Sequence, residues 1–156
     1  VKSMSAKPMD GRAVSGAVQA NATRSGKGLV FSPSVGEALV TKTYLTELGF
    51  RAETISGTDS KSRRLYLVDQ LKTGAMSILC NCELLTIGFD APAVSQLYLA
   101  RRTESQVLYK QIIGRGLRGP AFGGSETCTL FLCGVHISFD SDPNTSEFAR
   151  SIWSNV

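Results

Sequence analysis

Apolar and polar positions along the chain alternate between two repeats: short, nearly continuous apolar runs, and longer stretches with helical spacing. Gly28 to Ser32 reads as a strand. Val35 to Leu48 has a helical pattern that Gly49 is suited to close. Arg51 to Ile55 is a second strand, Ser60 to Lys72 a helix that Gly74 stops, and Met76 to Cys82 a strand made almost wholly of buried-type residues. Val94 to Ala100 and Thr127 to Gly134 are further strands, with a helix over Ser105 to Arg118 between them and a terminal helix over Asn144 to Trp153.

Strands apolar on both faces and alternating with helices predict an α/β fold, an open parallel sheet with helices on both faces. In such sheets ligands bind beyond the carboxyl ends of the strands, which directs attention to the loops after Ser32, Cys82, Ala100 and Gly134. Residues 1–25, small and polar with a weak helical stretch near Gly11 to Ala20, read as a linker or an appended helix. Residues 26–136 form the domain proper, and 137–156 a C-terminal, helical extension. A chain of 156 residues accommodates one such core and not two.

The net charge of +4 is compatible with a polyanionic partner without naming one. No stretch has the roughly 18 continuous apolar residues of a membrane span, and no signal-peptide core opens the chain, so a cytoplasmic protein with no membrane partner is expected. The start at Val1, with no initiator Met, suggests a piece of a longer polypeptide. Cys80 and Cys82, and Cys128 and Cys133, lack the spacing of structural zinc sites and lie in apolar runs, so buried thiols are expected and no metal site. His136 is the only histidine, which excludes multi-histidine metal sites.

Two segments carry chemistry. On a helix, Gln111, Arg115 and Arg118 fall at i, i+4 and i+7, within roughly 60° of one another. That stripe presents two permanently charged guanidiniums beside an amide, an arrangement for which phosphate is a natural third party. Read alone, it is at least as readily a solvated basic face. The second segment follows the strand ending at Cys82: Gly88, then Asp90, then Pro92, a sharp turn that sets one carboxylate at the carboxyl edge of the sheet. Such a carboxylate can accept hydrogen bonds from a ribose, though a capping role fits the same residues.

Taken in order, the segments from Gly28 to Cys133 resemble the C-terminal RecA-like lobe of superfamily 2 helicases. They are most similar to the branch containing type I and type III restriction-enzyme motor subunits and DEAD/DEAH-like bacterial or prophage helicases. Leu29 to Ser34 resembles motif IV, and Ser56-Gly57 with Arg64 the following block, with serine where the family has histidine. Cys80 to Pro92 resembles motif V, and Gln111 to Arg118 the Q-x-x-G-R-x-x-R of motif VI.

The resemblance implies the second, P-loop NTPase-like lobe of an ATP-dependent helicase or translocase. Arg115 and Arg118 would be arginine fingers, Gln111 a sensor beside the phosphates, and Gly88 with Asp90 the ribose contact. Ser32, Ser34, Gly57, Thr58, Asn81 and Cys82 match the positions that grip a nucleic-acid backbone, with DNA favoured over RNA. Motif V in the family often begins Thr-Asp, whereas here Cys82-Glu83 stands, so Thr86 enters as a substitute hydroxyl. Arg63, Arg64, Arg101 and Arg102 are neighbouring charges.

No G-x-x-x-x-G-K-[ST] loop is present in the chain. ATP and Mg²⁺ are therefore expected in a two-lobed parent, with neither bound tightly here, and the partner required is an N-terminal RecA-like lobe. A nonenzymatic nucleic-acid-binding or scaffolding lobe is the alternative. A nucleotide-sugar-binding Rossmann domain is disfavoured, because no Gly-rich loop or acidic ribose clamp follows the first strand.

Overall fold

A computed structural model of the chain describes residues 2–3, 9–23, 25–82, 94–101 and 128–134. The elements in chain order are β1 (Lys2–Ser3), α1 (Gly11–Asn21), β2 (Gly28–Phe31), α2 (Val35–Glu47), β3 (Ala52–Ile55), α3 (Lys61–Thr73), β4 (Ile78–Asn81), β5 (Gln96–Leu99) and β6 (Thr129–Leu132). The strands form one sheet in the order β1-β6-β5-β2-β4-β3, and every pairing is parallel.

The period-two geometry of a strand explains why its sequences are apolar throughout. In β2, Leu29 and Phe31 enter the core shared with Leu67 and Leu71 of α3. Val30, between them, enters the opposite core with Val14 and Val18 of α1 and Leu45 of α2. β5 splits in the same way, Leu97 and Leu99 to the first core and Tyr98 to the second, where its ring stacks on Phe131 with centroids 4.8 Å apart. Helices therefore cover both faces.

Local signals set the helix ends. Ser34 and Ser60 accept hydrogen bonds from the Glu37 and Arg63 N–H groups, capping α2 and α3. Gly49 and Gly74, at φ 89° and 80°, take the left-handed conformation that follows a helix C-terminus at little cost. The helix expected near Gly11 forms as α1, and its position depends on an unexpected contact. Ser34 and Glu37 have the spacing of a capping box, yet the Glu37 carboxylate accepts from the Gly11 N–H at 2.7 Å. Close approach accompanies that bond: a Cβ on Gly11 would lie 2.8 Å from the Thr41 backbone nitrogen and 2.8 Å from Val40 Cγ1.

The apolar runs holding the cysteines are strands, but only Cys80 lies within one; Cys82, Cys128 and Cys133 flank strand ends. No disulfide joins them, and all but Cys128 are buried. Strand register stops short because a ladder needs a partner: β2, β4 and β5 end together at Phe31, Asn81 and Leu99. The helices expected over Ser105 to Arg118 and Asn144 to Trp153 lie outside the described residues. No described helix is long and apolar enough to cross a membrane.

Candidate nucleic-acid interface

Because all strands are parallel, their carboxyl ends gather on one edge. The register pairs Phe31 with Asn81 and Leu99, and Ile55 with Asn81, so Ala100, Ser32, Cys82 and Ser56 are successive neighbours along that edge. These are the loops the sequence singled out, with the Ser56–Ser60 turn added. Ser32, Ser34, Gly57, Thr58, Asn81 and Cys82 thus come together at one end of the sheet. Gln111, Arg115, Arg118, Gly88, Asp90, Thr86 and Arg102 lie outside the described residues.

The six differ in accessibility. Ser34, Gly57 and Thr58 are exposed, whereas Ser32, Asn81 and Cys82 are buried. Ser32 donates its N–H to the Asn81 carbonyl at 2.8 Å, but its Oγ has no hydrogen-bond partner among the described residues. Asn81 donates Nδ2 to the Val30 carbonyl at 3.0 Å, which ties the ends of β2 and β4, and leaves Oδ1 unpaired. Two enclosed, unsatisfied oxygens at the same edge are costly in a folded chain and call for a reason.

The Ser56–Ser60 turn is organised by a residue that sequence reading passed over. Asp59 accepts the Ser56 N–H at 2.7 Å through Oδ2 and the Arg63 Nε at 3.1 Å through Oδ1. A third bond links the hydroxyls of Ser56 and Thr58 at 2.8 Å. The signal was available: an Asp just before a helix-capping Ser, at turn spacing. Arg63 also meets Glu53 at 3.6 Å, and Glu53 meets Lys42 at 3.9 Å, so Arg63 is engaged within the protein. Arg64 makes no ion pair among the described residues. At Gly57 an added Cβ would meet nothing within 4 Å, so the fold itself does not require glycine there.

Burial raises the thiol pKa values. Cys80 is pushed up to about 12 by desolvation, with the Glu53 carboxylate adding and Lys42 opposing. Cys133 reaches about 12 and the half-buried Cys128 about 11, both through burial. Thiols this protonated are poor nucleophiles and poor metal ligands. Among the described residues no group of three or more His, Cys, Asp or Glu is placed to hold a metal ion.

Residues 12–119 match the model of the helicase conserved C-terminal domain. The chain belongs to that family. Among curated proteins, the domain is 33% identical over 70 residues to the candidate ATP-dependent helicase IRC3 of Saccharomyces cerevisiae, covering 45% of this chain and 10% of that protein. It is 29% identical over 92 residues to a 51.5 kDa protein of a Lactococcus phage, covering 59% of this chain and 20% of that one. The helicase C-terminal domain thus spans a small fraction of the length of these relatives.

Solved structures give the fold. The C-terminal domain of the DEAD-box protein Dbp5 superimposes with a TM-score of 0.69 at 19% identity, over 99% of this chain and 82% of that one. The Escherichia coli DEAD-box protein SrmB, bound to regulator of ribonuclease activity A, superimposes with a TM-score of 0.66 at 20% identity, over 78% of this chain and 69% of that one. The RecA-like open parallel sheet expected from the sequence is the fold the chain adopts.

Proposed function

We propose that this domain is the second RecA-like lobe of an ATP-dependent nucleic-acid helicase or translocase. The observation that carries the reading is the gathering of Ser32 to Ser34, the Ser56–Ser60 turn and Asn81-Cys82 on one sheet edge, in a chain of the helicase C-terminal family. Exposed Ser34 and Thr58, with open space over Gly57, suit a sugar-phosphate backbone passing close to the chain. The unpaired Ser32 Oγ and Asn81 Oδ1 suit an edge that rearranges when a strand is gripped. Contacts of this kind read the backbone and not the sequence, and weaken as salt rises.

For ATP, the resemblance to motif VI supports Arg115 and Arg118 as arginine fingers on the phosphates with Gln111 sensing them, and the resemblance to motif V supports Asp90 with Gly88 at the ribose. Mg²⁺, held in the two-lobed parent, would supply neutralisation of phosphate charge. The loop that would cradle those phosphates is not in this sequence. The partner lobe is its source, and the chain alone is inactive. The resemblance of the segments, taken together, to the restriction-type and phage branch favours DNA as the track.

The test is ATP turnover by the full-length protein with single-stranded DNA, duplex DNA or RNA added in turn. Stimulation by DNA supports the whole reading, and stimulation by RNA alone reassigns the track. Binding of nucleic acid without turnover replaces the motor with a nonenzymatic binding lobe.

A further inference from the structure

Between β3 and α3 lies an open pocket of about 260 Å³, bounded towards the carboxyl edge by Glu53 and Arg63, that the ATP and nucleic-acid reading does not use. Leu67, Met76 and Ala52, all nearly fully buried, are its apolar lining, and Tyr66, Arg51 and Gln70 stand around it. Its size falls below the roughly 300 to 1,000 Å³ of ordinary small-molecule pockets, so it suits a single anchoring side chain better than a cofactor. Tyr66 is 59% exposed and its neighbour Leu65 61%, among the most exposed large apolar residues described. Tyrosine and arginine together, beside a small pocket with an apolar floor and a polar rim, are the residue types that dominate protein recognition energies.

The adjoining strand edge is open. Among the described residues β3 pairs with β4 alone. In a parallel ladder alternate residues turn their N–H and C=O to the same neighbour, and the Arg51 carbonyl accepts from Ser77 and Ile78 on the β4 side. Ala52 and Thr54 therefore turn theirs outward, where an extended segment can add as a further strand.

Charge selects the occupant. The carboxylate nearby, Glu53, is met by both Lys42 and Arg63, whereas Arg51 makes no ion pair among the described residues. The exposed guanidinium beside the hole complements an acidic residue flanking an apolar one.

We infer that this groove docks an extended acidic peptide of a partner protein, one large apolar side chain seated over Leu67 and Met76 and an Asp or Glu beside it paired with Arg51. A four-residue strand rises roughly 10 Å from the groove to the Gly57 turn, so docking and nucleic-acid binding occur together.

The experiment is selection of a phage-displayed random-peptide library on the full-length protein, followed by fluorescence anisotropy with a labelled synthetic peptide of the enriched sequence. The enriched peptides carry Phe, Tyr, Leu or Met flanked by Asp or Glu. Arg51→Glu and Tyr66→Ala each weaken the labelled peptide by at least about tenfold, in keeping with loss of a central interface residue. Thr46→Ala, on the exposed side of α2, leaves it unchanged, and a DNA oligonucleotide does not displace it. Both groove substitutions replace exposed side chains, and circular dichroism confirms that the variants are folded. Absence of enrichment, a consensus lacking acidic residues, or binding indifferent to Arg51→Glu and Tyr66→Ala overturns the inference. Displacement by the oligonucleotide overturns it too, and reassigns the groove to nucleic acid.

Discussion

Ser32 holds an oxygen that is buried without a partner, and its removal separates stability from function. Deleting an unsatisfied buried hydroxyl removes a desolvation cost, so Ser32→Ala should leave thermal stability unchanged or raise it by about 1 kcal/mol. The same substitution should weaken nucleic-acid binding. A melting curve and a binding titration on one variant check both, and a clear loss of stability would mean that the hydroxyl is already satisfied. The thiols give a second prediction. Cys80 and Cys133 have folded pKa values raised to about 12 from 9.0. Their protonated form is the one the fold retains, so this contribution to stability is fully present below pH 9 and is lost as pH rises from about 9 towards 12. Denaturation midpoints measured across that range should fall, and iodoacetamide at pH 8 should modify Cys128 before Cys80 or Cys133. Most of this was legible as buried thiols in apolar runs. The unpaired state of Ser32 was not, because hydrogen-bond satisfaction depends on strands brought together from distant parts of the chain.

Among the elements, α1 shows where sequence reading stops. Its apolar content is low and its composition resembles a linker, yet Val14 and Val18 lie in the core, and its first N–H is held by Glu37. The contact that places it joins residues 26 positions apart, and no local pattern encodes such a bond. Gly11→Val should cost about 1 to 3 kcal/mol, since the added carbons meet the α2 backbone and cannot be relieved by a rotamer change. Equilibrium denaturation measures it, and a neutral result would mean that α1 does not sit against α2. The strands and the other helices were readable because their signals are local: capping serines at Ser34 and Ser60, left-handed glycines at Gly49 and Gly74, and continuous apolar runs for strands covered on both faces. Ser60→Ala should cost about 1 kcal/mol for the same reason, and the same denaturation experiment checks it.

At the scale of the whole molecule, a parallel sheet converts chain order into a site. Segments as distant as Ser32 and Cys82 reach one edge because their strands are neighbours in register, and the motif spacing in the sequence follows from that topology. On the proposed reading that edge would hold the nucleic-acid backbone and the motif VI residues would meet ATP, each function being completed by a second lobe. The most direct measurement of the account is nucleic-acid-stimulated ATP turnover by the full-length protein, comparing wild type with Arg115→Ala and Arg118→Ala. Removal of an arginine finger is worth about 10³ to 10⁵ in turnover, so each variant should fall to near the background rate while remaining folded and still binding nucleic acid. Turnover unchanged in both variants, or absent from the wild type, would contradict the assignment of this domain as the arginine-supplying half of a motor.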